Sequence, residues 1–252
     1  MKSTKYILFI LCAFLSLPIF SKDGAPGTFE HKIVAGFNLG ATAPIPIPQE
    51  VRSIDGWWPQ FTPQLGYNVI YNHTDKWGFG SGILLDYKGM GVRDKVKYMY
   101  TSVILQKGDK DALDGYFTGR NETRVKSSYV TIPLYATYTL NEQWRFRAGG
   151  YASYRFSSQF EGEVWDGYLR TPDPTGDKVI IDKTDKATFN FGKDMRDFDF
   201  GLTIGAERKI NNKFGVYSNL SWGLTSIFPN DYKSVSFKMY NIYLALGLTY
   251  NL

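Results

Sequence analysis

Eight segments of this chain place apolar residues at every second position, and the connections between them alternate strictly between very short and long. Period-two alternation marks a β-strand with unlike faces. It is clearest over residues 197–208. There Phe198, Phe200, Leu202, Ile204 and Ala206 share one face, and Asp197, Asp199, Gly201, Thr203, Gly205 and Glu207 share the other. At helical spacing these phenylalanines and carboxylates would be mixed together. Residues 144–157 and 240–252 behave alike; Trp144, Phe146, Tyr154 and Phe156 stand opposite Arg145, Arg147 and Arg155. Weaker versions span residues 31–41, 61–72, 77–88, 125–140 and 214–225. Each has roughly the 9–11 residues that a tilted strand needs to cross a bilayer.

Three connections are short (73–76, 141–143 and 211–213) and carry asparagine-rich turn chemistry. Four are long: 42–60, 91–124, 158–196 and 226–236. Successive connections of an up-and-down barrel lie at opposite ends, so the short turns gather on one side and the long loops on the other. Outer-membrane barrels have this asymmetry, with tight periplasmic turns and long external loops. The pattern predicts an all-β, eight-stranded antiparallel up-and-down transmembrane β-barrel with long external loops and both termini at the short-turn end. Residues 97–105, 179–181 and 187–191 are strand-like within the loops. They are expected to extend hairpins, because a ten-stranded barrel would need a further tight turn.

The N-terminus fixes the expected compartment. Lys2 and Lys5, the apolar run 6–20 and Ser21 follow the order of a secretory signal peptide, 1–21. The run is too short for a spanning helix. Residues 22–252 are then one barrel domain in the outer membrane of a Gram-negative bacterium. Cleavage removes the single cysteine, Cys12, so no disulfide supports the fold. The 29 Lys and Arg against 24 Asp and Glu become 27 against 24 without Lys2 and Lys5, too mild an excess to argue for nucleic acid. Outer-membrane lipid is the expected neighbour.

The polar faces supply the candidate site residues. These are Asp86 and Lys88 on the third strand, Arg145, Arg147 and Arg155 on the fifth, and Asp197, Asp199 and Glu207 on the sixth. Arg145 and Arg147 are expected beside Glu207 near the short-turn end, and Arg155 beside Asp197 and Asp199 toward the far end. An eight-stranded bore is only wide enough for side chains, and charges with little water need partners. A salt-bridged, filled lumen is expected rather than an ion path, with Gly78, Gly80, Gly82, Gly201 and Gly205 leaving space for the arginines. Trp77, Trp144, Phe214 and Tyr250 are expected to form one aromatic girdle, and Tyr87, Tyr154, Phe156, Phe198 and Tyr240 the other. Pro133 lacks a ladder donor, so a bulge or an unpaired edge is expected there.

No catalytic, cofactor or metal set is read from the sequence. Outer-membrane proteases and lipid acyltransferases place a histidine at the external rim, whereas His31 and His73 both fall at the short-turn end. Residues 109–115 loosely match a calcium loop, but Leu113 occupies a ligand position. Asn121-Glu122-Thr123 matches a glycosylation sequon, in an exported bacterial chain mostly by chance.

The run Tyr129-Val130-Thr131-Ile132-Pro133-Leu134-Tyr135, followed by Phe146-Arg147-Ala148-Gly149-Gly150-Tyr151, resembles the PorT-like outer-membrane β-barrel family. So do Asp199-Phe200-Gly201-Leu202 with Gly205, Trp222-Gly223-Leu224-Thr225, and the closing Leu246-Gly247-Leu248-Thr249-Tyr250-Asn251-Leu252. The resemblance implies the barrel and, through the family's namesake, other envelope or secretion proteins as partners of the external loops. Three functions stay open: a non-enzymatic integral protein, an outer-membrane enzyme acting on lipid or peptide, and an exported lipocalin-like ligand-binding barrel.

Overall fold

The computed structural model describes residues 25–105 and 112–252. The expected signal peptide lies outside the described residues, as do residues 109–111 of the calcium-like loop. The strands are β1 Thr28–Pro44, β2 Val51–Pro59, β3 Pro63–Asn72, β4 Trp77–Leu105, β5 Ala112–Thr139, β6 Trp144–Thr171, β7 Asp177–Ile181, β8 Ala187–Asn190, β9 Phe198–Lys209, β10 Phe214–Gly223 and β11 Met239–Asn251. Eight of them pair antiparallel around a ring in the order β1, β3, β4, β5, β6, β9, β10, β11. The last returns to β1 over Lys32–Asn251 to Pro44–Met239. The result is an all-β, up-and-down, barrel-like sheet.

All three tight turns between ring strands use one device. Asn141 Oδ1 accepts from the backbone N–H of Gln143 (3.0 Å) and Trp144 (2.9 Å), and Asn211 Oδ1 from Lys213 (2.9 Å) and Phe214 (2.8 Å). Thr74 Oγ1 does the same for Lys76 (3.3 Å) and Trp77 (2.9 Å). A short side-chain acceptor thereby reverses the chain and delivers an aromatic residue to the foot of the next strand.

At the far end the chain departs from the expected loops. Residues 97–105 extend a hairpin as expected, but the extension is longer than expected: residues 91–105 and 112–124 are the upper halves of β4 and β5, and residues 158–171 continue β6. Part of the 42–60 connection is β2, which pairs with β4. β8 pairs with β6 on one side and with β4 on the other. β4, β5, β6 and β8 therefore wrap a second core of Val96, Val103, Phe117, Phe160, Val164, Leu169, Ile181 and Phe189. The 226–238 connection packs onto it through Phe228, whose ring lies 5.1 Å from Phe160 and 4.8 Å from Tyr232. Each buried ring or branched chain of this kind contributes about 1.5–3 kcal/mol.

The two faces of the sheet exchange character at one height. Below the row Lys88–Ser127–Ser158, outward residues are apolar. They include Phe79 and Leu85 on β4, Ile132 and Leu134 (70% exposed) on β5, and Phe146 and Tyr154 on β6. Above it the outward residues are Arg93, Lys95 and Lys97 on β4, Glu122, Arg124 and Lys126 on β5, and Gln159, Glu161 and Glu163 on β6. The inward face changes in the opposite sense, from Asp86 and Lys88 to Met90 and Val96, and from Ser127 to Val125 and Phe117. A bulge at Phe156 on β6 accompanies the exchange.

Pro133 leaves an unpaired edge. The β4–β5 ladder lapses between Ser81–Leu134 and Leu84–Thr131 without a change of register, and Ser81 Oγ donates to the Pro133 carbonyl at 2.9 Å. The expected girdle residues lie in pairs: Phe214 against Tyr250 (5.1 Å) at the short-turn end, and Tyr154 against Phe198 (5.4 Å) and Tyr87 against Phe156 (6.4 Å) just below the exchange. Trp77 packs on Tyr138 at 4.9 Å.

Candidate functional site: a polar plug beneath an apolar chamber

The inner face holds two stacked features. The lower one is polar. Near the short turns Arg145 forks onto Glu30, Nη1 to Oε2 at 2.5 Å and Nη2 to Oε1 at 2.8 Å. Lys32 donates to Glu207 at 2.6 Å and stands 3.5 Å from Glu30. Asn72 and Thr249 donate to the same carboxylates. Bidentate, charge-assisted bonds of this kind offset the desolvation that burial imposes.

Higher up, the Lys88 ammonium sits 3.4 Å from Asp199 and 3.8 Å from Asp86, with the Tyr151 and Tyr129 rings 4.8 and 5.0 Å away. Asn38 (2.7 Å) and Gln64 (2.9 Å) donate to Asp86, while Asn241 (3.0 Å) and Tyr151 (3.2 Å) donate to Asp199. Between the two clusters Arg147 has no carboxylate of its own among the described residues. Its guanidinium lies 5.3 Å from the Tyr217 ring and 5.7 Å from Tyr135, and its Nε is unpartnered. Four inward cations, Lys32, Lys88, Arg145 and Arg147, thus face four carboxylates, Glu30, Asp86, Asp199 and Glu207. Two voids among them measure about 20 and 10 Å³, room for about one water each, and below them a polar cavity of about 490 Å³ at the short-turn end is lined by Glu30, Lys32, Arg145 and Glu207.

These contacts revise the expected partners. Glu207 lies beside Arg145 in the ladder but bonds Lys32, and Arg145 takes Glu30. Asp199 belongs to Lys88 and not to Arg155. The Asp197 side chain is 63% exposed, outside the bore; it meets Arg155 at 2.8 Å on the rim. Arg155 donates also to the carbonyls of Arg196 (2.8 Å) and Met195 (2.6 Å) and to Ser158 Oγ, pinning the 192–197 segment at the bulge. Glycines leave space chiefly for tyrosines. A Cβ on Gly80 would stand 2.3 Å from the Tyr135 ring, and one on Gly201 2.6 Å from Tyr151. Only Gly205, 2.9 Å from Arg147 Nε, serves an arginine.

Above the plug lies a cavity of about 290 Å³. Thr42 is on its floor, where it donates to Asn241 Oδ1 at 2.8 Å and meets Tyr243 Oη at 3.0 Å, so plug and chamber share a boundary. Met90, Met99, Phe160, Phe189, Phe191 and Met239 form its walls, and the exposed Ile47, Ile54 and Trp57 stand at its mouth. Asp94 is the one charged residue among those lining it. Asn121 Nδ2 donates to Asp94 Oδ1 at 2.9 Å, and no cation among the described residues pairs with that carboxylate. Burial pushes the Asp94 carboxyl up to about 6, against the hydrogen bond from Asn121 and with the like charge of Asp55. Asn121 itself is 4% exposed, and its Oδ1 finds no donor.

Sequence reasoning passed over Glu30, Lys32, Asp94 and Asn121. Glu30 precedes the segment read as the first strand, and Asn121 drew attention only as a sequon. The strict alternation of residues 121–137 across the 124/125 boundary was the signal that could have carried β5 upward and placed Asn121 inside.

No curated protein sequence matches this chain. Among solved structures it is similar to Ail, the attachment invasion locus protein of Yersinia pestis, at 8% identity and TM-score 0.35, over 90% of this chain and 99% of that one. It is similar to the outer membrane protein OprG from Pseudomonas aeruginosa at 11% identity and TM-score 0.34, over 92% and 99%. It is also similar to the outer membrane protease OmpT from Escherichia coli at 11% identity and TM-score 0.28, over 90% and 94%. The family described as outer membrane protein beta-barrel domain matches residues 21–229, and the chain belongs to that family.

Proposed function

We propose that this protein is a non-enzymatic integral outer-membrane barrel whose lumen is closed by its own side chains, and whose binding function resides in the external β-extension. The exchange of faces at the Lys88–Ser127–Ser158 row carries this reading. Apolar residues facing outward suit lipid, and charged residues facing outward over an apolar core suit water. One continuous strand that does both has crossed from one solvent to the other. Strands β4, β5 and β6 run for 29, 28 and 28 residues, against the roughly 9–11 needed to span. The excess stands outside the cell, on the side of the long connections, after export with loss of the signal peptide.

The balanced plug supports a barrel that does not conduct. His31 and His73 at the short-turn end leave a rim enzyme without its usual base, which favours binding over catalysis. The motifs around Tyr129–Tyr135 and Gly149–Tyr151 favour the PorT-like branch, and with it envelope or secretion proteins as partners of the extension. Fractionation tests insertion: the protein is expected in the outer-membrane fraction with heat-modifiable mobility, and recovery as a soluble periplasmic protein would contradict it. Planar-bilayer recording tests the plug. No discrete openings are expected, and regular conductance steps well above leak would refute a closed lumen.

A further inference from the structure

The chamber above the plug combines three features. It is an apolar cavity of about 290 Å³, at the small end of ligand sites, which run roughly 300–1,000 Å³. Its one carboxylate, Asp94, is 9% exposed and has no cation among the described residues, although buried charges are ordinarily paired. Beside that carboxylate is a buried amide oxygen, Asn121 Oδ1, with no donor. The amide cannot be turned to cure this: an ionised carboxylate only accepts, so Nδ2 must face Asp94 and Oδ1 must face elsewhere. The carboxylate, which Asn121 Nδ2 meets at one oxygen, is set in a wall of methionine and phenylalanine.

We propose that the chamber binds a small amine-headed amphiphile, its ammonium group donating to Asp94 and its apolar body lying against Met90, Phe160, Phe189 and Met239. The chemistry of the acceptors selects the head. An ammonium supplies three donors and a positive charge, an alcohol only one donor, and a carboxylate repels Asp94. The walls select an apolar body, and the volume limits its size. Thr42 on the floor is bonded into the plug, so the ligand is held rather than passed downward. The proposal rests on the reading of the extension as a binding module.

The test uses the full mature chain in lipid nanodiscs, with empty nanodiscs subtracted, titrated calorimetrically at pH 7.5 with n-hexylamine, 1-hexanol and hexanoate. These probes share one apolar body and differ in the head. Hexylamine is expected to bind one per chain, at least about tenfold tighter than hexanol, with hexanoate weakest. Asp94→Asn is expected to bring hexylamine down to the affinity of hexanol, and Met90→Trp, which fills the cavity, to abolish binding of both. Equal affinity of the wild-type protein for amine and alcohol would overturn the headgroup assignment while leaving the chamber as a binding site. Binding of none of the three would overturn the reading of the extension as a small-ligand module as well. The comparison of heads on wild-type protein decides the matter even where a variant fails to fold.

Discussion

Replacing Lys88 by methionine tests the plug where its electrostatics are most concentrated. The side chain is 1% exposed and is the cation nearest to both Asp86 and Asp199. Methionine is unbranched and one heavy atom shorter, so it leaves no large void and the change acts mainly on charge. Removing one partner of a buried ion pair costs about 3–5 kcal/mol, because the remaining charge stays desolvated. Here the carboxylates keep their donors, Asn38 and Gln64 on Asp86, Asn241 and Tyr151 on Asp199, which places the expected loss near the lower figure, about 3 kcal/mol. The assay is denaturant unfolding from lipid vesicles followed by tryptophan fluorescence. The triple variant Lys88→Met, Asp86→Asn, Asp199→Asn carries none of the three charges and is expected to recover most of the loss. A Lys88→Met protein within about 1 kcal/mol of wild type would show that these charges are not desolvated. A triple variant no more stable than the single one would show the same.

Asp94 gives a pH-dependent prediction of defined sign. Its carboxyl is raised from 3.8 to about 6, so its contribution to stability is full below the unfolded value and is lost as pH rises through 6. Two units correspond to about 3 kcal/mol as an upper figure. Protection factors of β4 and β5 amides above Lys88, which remove the intrinsic base-catalysed rise in exchange, should therefore fall between pH 4 and 7 in wild type but not in Asp94→Asn, and equal profiles would refute this. The same ionisation governs the amine: hexylamine affinity should fall about fivefold from pH 6 to pH 5, with Asp55 on β2 and Tyr100 on the chamber wall the other titratable groups nearby. At the opposite end, Asn211→Ala strips acceptors from two backbone N–H groups of the turn. A loss of about 1 kcal/mol in the same unfolding assay is expected, and no loss would mean that water replaces the asparagine in full.

The ring was legible in the sequence because a strand between unlike solvents must alternate, and because short and long connections must take turns. Residues 197–208 and 240–252 needed no tertiary knowledge. The extension was less legible for a physical reason. Above Lys88 the polar residues move to the outer face and the apolar ones inward, while the alternation continues unbroken. A reader who follows the apolar face of β5 from Leu134 and Ile132 loses it at Lys126, although Val125 and Phe117 continue the strand on the other side. Partners inside the bore were legible only by height. That Arg145 would take Glu30 and leave Glu207 to Lys32 depends on β1, which is remote in sequence and lies across the lumen.

The central claim is that one sheet serves two solvents, with the change at the Lys88–Ser127–Ser158 row. Nitroxide labels at single introduced cysteines along the outward face of β5, at positions 134, 132, 130, 126, 124 and 122, measure it by power saturation in vesicles. Oxygen-dominated accessibility is expected at Leu134, Ile132 and Val130. A sharp change to access by a water-soluble nickel chelate is expected at Lys126, Arg124 and Glu122. Chelate access along the whole strand, or oxygen access along all of it, would contradict this.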